Sequence, residues 1–181
     1  MRFLWLLIAL APSALAHPMG RDEYSLRTGV EADENGIRVV VMGEIPVPVV
    51  ITELGRASKG QRPTPAQVAE YTANRHKELM EGQTLTIDGT PVTTDWRVSP
   101  SALNGRAIDG FFVYVVQTTV PLSALDSDVS VVVKNQAWPD APMVYDADVR
   151  ARKSWTLASS SAPETWTNDA AQRTLTVHFT R

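Results

Sequence analysis

Apolar positions along this chain fall in short alternating runs separated by turn formers, the period-two pattern of half-buried strands. Tyr24 to Thr28 and Ile37 to Met42 flank Asp33-Glu34-Asn35-Gly36, and Asn-Gly is the strongest short hairpin signal. Leu85-Thr86-Ile87, Asp88-Gly89 and Pro91-Val92-Thr93 read as a second hairpin. Phe111 to Val120 and Val129 to Val133, rich in β-branched and aromatic residues, read as strands. Thr165-Trp166-Thr167 and Thr174 to Thr180 read as a last pair, joined by a turn around Asn168-Asp169. Ala57 to Pro63, Ser99 to Gly110 and Trp138 to Pro142 read as loops, and Ala158 to Pro163 as a Ser-rich surface turn.

One segment breaks this rhythm. Thr64 is a good N-cap, Pro65 suits the first helical position, and Gly82 follows the last periodic residue. The spacing predicts a helix over about 65–81. Val68, Tyr71, Leu79 and Met80 form its apolar face, leaving Glu70, Arg75, Lys77 and Glu78 for water. The pattern as a whole predicts a mostly β protein: an antiparallel β-sandwich with one α-helical crossover.

The first sixteen residues have a different character. Arg2 precedes an unbroken apolar run from Phe3 to Leu10, and Ala14-Leu15-Ala16 ends in the small residues a signal peptidase reads. The expectation is a cleaved signal peptide over 1–16 and a single domain over 17–181, exported to the periplasm. The other reading is a buried N-terminal helix or an uncleaved anchor. Cleavage removes one of seventeen basic residues and none of twenty acidic ones, moving the formal charge from −3 to −4. A mildly acidic chain with scattered charges has no electrostatic footprint for nucleic acid. No later apolar run approaches the ~20 residues of a spanning helix, so no direct membrane insertion is expected. Cysteine is absent, which excludes thiol catalysis, thiolate zinc sites and iron–sulfur clusters.

The motifs of several enzyme classes are also missing. No Gly-x-Ser-x-Gly elbow, phosphate-cradling glycine loop or His-Glu-x-x-His helix occurs, and a non-enzymatic protein is expected. Three histidines remain. His76, between Arg75 and Lys77, reads as a solvated helix-face residue, since two cations disfavour a bound metal. His178 alternates with Val177 and Phe179 and belongs on the polar strand face with Thr176 and Thr180, as an exposed strand residue or a ligand. Processing would make His17 the first residue, giving it an α-amino group beside the imidazole. Those two nitrogens can clamp copper, nickel, cobalt or zinc. Pro18 has no amide N–H to lose, so a tripeptide-type square-planar site is excluded and further ligands must come from elsewhere, such as His178, Met19 or a carboxylate. The plainer reading is that His17 merely frays in solvent.

His17-Pro18-Met19-Gly20, followed by a hairpin ending in Gly43-Glu44-Ile45-Pro46, resembles the extracytoplasmic domain that precedes the membrane part of bacterial nickel/cobalt permeases and hydrogenase/urease accessory permeases. Similar pieces follow in order: Glu70 to Arg75, Leu85-Thr86-Ile87-Asp88-Gly89, and Lys134 to Pro139. The resemblance implies an immunoglobulin-like periplasmic domain associated with transition-metal traffic. Of the motif residues, it carries over His17 and Glu44. Met19 and Gly43 depart from the Leu and Ala usual there, and the chain carries no permease portion, so it would not transport by itself.

Two functions therefore stand as expectations. One is a metal-binding or metal-delivery accessory protein, with His17, Glu44 and His178 as candidate ligands for a divalent nickel, cobalt, copper or zinc ion. The other is a sandwich that docks on a membrane metal permease or another envelope protein. In that case Ile45 to Ile51 and Trp96, Trp138 and Trp155 are candidates for the contact surface, or alternatively for the core. A copper oxidase with an N-terminal histidine clamp would need a second convergent His that the sequence does not place.

Overall fold

The computed structural model describes residues 22–181, so the expected signal peptide, His17 and Met19 lie outside the described residues. Strands β1 (Tyr24–Asp33) and β2 (Gly36–Pro46) form the expected Asn35-Gly36 hairpin. Helices α1 (Val47–Ala57) and α2 (Pro65–Glu81) follow, then β3 (Gln83–Ile87), β4 (Thr90–Pro91), β5 (Arg97–Val98), β6 (Arg106–Ile108) and β7 (Phe111–Pro121). The chain finishes with β8 (Asp128–Asn135), β9 (Met143–Ala151), β10 (Thr156–Ser160) and β11 (Thr174–Thr180).

The described strands form two sheets. Sheet A runs β5-β7-β2-β1-β9, with β6 also on β7, and sheet B runs β10-β11-β8-β3-β4. Alternation puts Leu26, Val30, Val39, Val41, Tyr114 and Val116 of sheet A against Leu85, Val131, Leu175, Val177 and Phe179 of sheet B in one core. This is a mostly β, two-sheet sandwich with a helical crossover, as expected. One pairing departs from the antiparallel pattern: β9 lies parallel to β1, Leu26 opposite Tyr145.

Helix α2 has the predicted bounds and a complete capping box. The Thr64 side chain accepts from the Gln67 backbone N–H, and the Gln67 side chain returns a bond to the Thr64 N–H. Its buried face differs from expectation. Val68 is exposed, His76 is buried beside Leu79, and the Arg75 side chain is only 16% exposed. His76 lies three residues from Leu79 and so shares its stripe; the flanking cations concealed that.

Helix α1 was not expected. Its sequence begins Val47-Pro48-Val49-Val50-Ile51, and β-branched residues lower helix propensity. Pro48 in the first turn is nevertheless compatible with a helix, and Val50 and Leu54 bury one stripe. The stretch Ile45 to Ile51 is thus divided: Ile45 and Val50 are core, and Ile51 is exposed. Trp138 and Trp155 are core, and Trp96 packs against it, so the tryptophans are not an external contact surface.

The tail also differs. Thr167 bridges Tyr145 of β9, whereas β11 pairs with β8 and β10. The physical reason is Asp169, whose carboxylate accepts the Ala171 N–H and starts a 3-10 turn over Ala170–Arg173, which a tight hairpin could not contain. The first residues of the Ser-rich stretch, Ala158 to Ser160, belong instead to the exposed edge strand Thr156–Ser160, and part of the 99–110 loop forms β6.

A polar cluster around Arg75 joins the helices to each other and to the sandwich. Arg75 donates to Glu53 of α1 at 2.6 Å and to Glu78 at 2.7 Å, and lies 4.9 Å over the Tyr71 ring. Tyr71 donates to Glu53, and the Trp138 indole N–H reaches Glu78 at 2.8 Å. Trp138 stands edge-on to Tyr24 and has φ of 50°, a left-handed value rare for a large residue. Two glycines admit it. A Cβ on Gly43 would lie 2.5 Å from the Trp138 ring, and one on Gly82 would lie 2.4 Å from the Ala137 amide nitrogen.

Burial raises the Tyr71 phenol far above its usual range, and its bond to Glu53 adds to this. Burial likewise raises Tyr114 and Tyr24; nearby Glu53 adds to both shifts, and Arg75 offsets part of them. Burial works against the Arg75 charge, but Tyr71, Glu78 and Glu53 outweigh it and hold the guanidinium above its usual range. Unfolded tyrosines titrate near pH ~10, below these folded-state values. The stability they contribute is complete below that pH and is lost as pH rises through the folded-state range. The melting temperature should therefore fall steeply above about pH 10, and Tyr71→Phe should flatten the fall. Melts followed by circular dichroism across that range check this, and an unchanged slope in the variant would refute it.

Candidate functional site

Of the three candidate ligands, the two among the described residues, Glu44 and His178, do not converge. Glu44 alternates with buried Gly43 and Ile45, so it lies on the outer face of sheet A, where it accepts from the Ser25 hydroxyl across the β1–β2 pair. His178 alternates with buried Val177 and Phe179 and lies on the outer face of sheet B, bonded through Nε2 to Asp128. The two outer faces look away from each other across the core. Ser130 and Ser159 sit opposite His178 in register, but among the described contacts neither hydroxyl bonds the ring. Among the described residues no group of three or more His, Asp or Glu side chains could hold a metal ion.

The feature that the sequence reading missed is a groove of about 450 Å³ on the outer face of sheet A. Its floor comes from alternation on three neighbouring strands: Gly29 of β1, Val40 and Met42 of β2, and Val115 and Gln117 of β7. Gly29 stands opposite Val40, and Met42 opposite Val115. These apolar side chains are the outward set, which alternation alone would have assigned to water.

The 99–105 loop forms one wall, bringing Ser99, Ser101 and Leu103 to the groove. Asn104 fixes that loop in place. Its amide NH₂ donates to the Ser99 carbonyl at 2.9 Å and the Val115 carbonyl at 3.3 Å, and its Oδ1 accepts the Val115 N–H at 2.9 Å. The side chain thus imitates a neighbouring strand along β7. His76 of α2 holds the same Oδ1 through Nε2 at 2.6 Å, and the ring packs edge-on to Tyr114. The buried histidine is therefore a strut behind the wall. Gly105 N–H to the Val113 carbonyl at 2.7 Å closes the loop.

Ion pairs build the opposite wall and rim. Arg27 donates through Nε to Asp146 at 2.7 Å while its guanidinium lies 4.9 Å over Trp166. Arg38 meets Glu31 at 3.1 Å, and Arg150 meets Asp148 at 2.6 Å. Arg152 reaches the other oxygen of Glu31 at 2.9 Å. Exposed pairs of this kind stabilise by about 0–1 kcal/mol each, so their effect is mainly to orient the guanidinium groups. Each arginine uses one nitrogen on its carboxylate, leaving N–H donors along the rim. The lining carries Arg27, Arg38 and Arg150 against Glu31 and Asp148, a local excess of one positive charge in a chain of net −3.

The chain matches no family model, no curated protein and no solved structure.

The wall makes a direct prediction. Asn104→Ala leaves the half-buried Val115 N–H and the His76 ring without their shared acceptor, at a cost of roughly 1–3 kcal/mol. Chemical denaturation should show that loss, and the Val115 amide should exchange with deuterium faster than its neighbours in β7. Unchanged stability and exchange would mean that the loop is held by other contacts.

Proposed function

We propose that this chain is a non-enzymatic, exported binding module that acts by docking a partner against the outer face of sheet A. The observation that carries this reading is the groove: an apolar floor on three strands, with a wall held in place by the protein's own Asn104 and His76. A preformed wall lowers the ordering cost of binding. The groove's charged side chains are joined in arginine–carboxylate pairs, an arrangement suited to orientation rather than proton transfer. To test this, a photo-crosslinking phenylalanine analogue would replace Leu103 in the groove wall or, as a control, exposed Leu157 on sheet B. The expected result in the native envelope is a discrete adduct from position 103 and none from position 157. Equal labelling from both positions would sink the reading.

A second reading is favoured by His17-Pro18 after the leader and by the permease-domain resemblance: transition-metal binding or delivery for nickel, cobalt, copper or zinc. The imidazole and the α-amino group would supply the first two nitrogens, and the remaining ligands would come from a carboxylate of this chain or from the docked partner. The two readings are compatible, since a metal-delivery protein must also dock. Calorimetric titration of mature protein beginning at His17 should show divalent-metal binding that one extra N-terminal residue abolishes. Equal heats from the two forms would retire the site.

A further inference from the structure

Resting on the docking reading above, we propose that the groove on sheet A takes a segment of a partner protein in which an apolar side chain is flanked by carboxylates. The apolar half of this chemistry follows from the floor. Val40, Met42 and Val115 form a continuous patch below Leu103, whose side chain is 47% exposed at the wall. Leaving such a side chain in water while a groove lies beside it forgoes the free energy of covering both. A volume of about 450 Å³ is within the ~300–1,000 Å³ of sites that seat a compact ligand or a few side chains.

The acidic half follows from the rim. Arg27 is held by Asp146 and by stacking on Trp166, Arg38 by Glu31, and Arg150 by Asp148. Their side chains are 40%, 48% and 58% exposed, so the spare N–H donors face solvent beside the apolar floor. Guanidinium groups fixed in this way lose little freedom on receiving a second carboxylate, and a planar fork matches that geometry. A basic segment would meet three arginines and only carboxylates already engaged, so charge selects against it.

An anionic membrane surface fits less well. Membrane-binding faces present cations and apolar side chains outward together, whereas here the apolar atoms lie at the bottom of a concavity between an arginine rim and a loop.

The experiment titrates methyl- and amide-labelled protein with three capped pentapeptides and with phosphatidylglycerol vesicles. The peptides are Glu-Leu-Glu-Val-Glu, its lysine counterpart Lys-Leu-Lys-Val-Lys, and the polar Glu-Ser-Glu-Ser-Glu. The acidic apolar peptide should shift the methyls of Val40, Met42, Leu103 and Val115. Its affinity should fall with added salt. It should also drop roughly fivefold or more in an Arg27→Ala/Arg150→Ala variant, because charge-assisted bonds are lost. An Arg56→Ala/Lys59→Ala variant, altered on and just after α1 away from the groove, should bind as the parent does.

Equal binding of the lysine or the polar peptide at the same methyls would overturn the acidic-apolar assignment and leave the docking reading standing. Methyl shifts from vesicles but not from peptide would replace the peptide with a lipid surface. No shift from any probe at millimolar concentration overturns the assignment, and if position 103 also yields no adduct, the docking reading falls with it.

Discussion

The position of the helices depends on the charge of Arg75. Its side chain is largely withdrawn from water and makes three contacts at once: two carboxylates on two helices and the face of a tyrosine. Breaking a buried pair by removing one partner typically costs about 3–5 kcal/mol, and the figure here is lower because Glu53 and Glu78 keep some solvent. The larger role of this cluster is geometric. Glu53 is bonded by both Arg75 and Tyr71, and Glu78 by both Arg75 and the Trp138 indole. The Trp138 loop, in turn, fits only because Gly43 and Gly82 present no side chain. One cation thus fixes α1, α2 and the 136–142 loop relative to sheet A.

That fixation extends to the groove by a short mechanical path. Arg75 sets the rotation of α2, and the next residue, His76, is the one whose ring nitrogen meets Asn104. Asn104 holds the 99–105 loop to β7, and the loop is the groove wall. The rim opposite is set by cross-strand register instead, with Arg27 facing Asp146 and Glu31 facing Arg38 and Arg150 across β2, β1 and β9. One wall is therefore braced by a helix and the other by the sheet itself.

Sequence reasoning reached the parts of the fold governed by local rules. The Asn35-Gly36 hairpin, the Thr64 capping box and the strands β7 and β8 were legible because a turn or cap residue sits at each boundary. Helix α1 was not, because Pro46-Val47-Pro48-Val49 has no polar cap and its helicity comes from burying Val50 and Leu54. The pairing of β11 was lost for a similar reason: its partners are chosen by the core and not by the turn at Asn168-Asp169. The groove was the least legible feature. Its floor uses the outward positions of strands already assigned an inward face, and its wall depends on a histidine and an asparagine 28 residues apart. The polar strand face of His178 was read correctly; what alternation could not say was that its neighbour would be Asp128.

The parallel pair β1–β9 has a temporal consequence. Tyr24 lies opposite Met143, so the first strand of the described chain finds one of its two neighbours only after more than a hundred further residues are present. Parallel pairing is non-local by nature, and loops that close late fold slowly. Until β9 arrives, one edge of β1 carries open hydrogen-bonding groups beside apolar Leu26 and Val30, the kind of edge that recruits other chains. A chain emerging from its N-terminal end therefore passes most of its synthesis with sheet A unfinished, and its completion comes late.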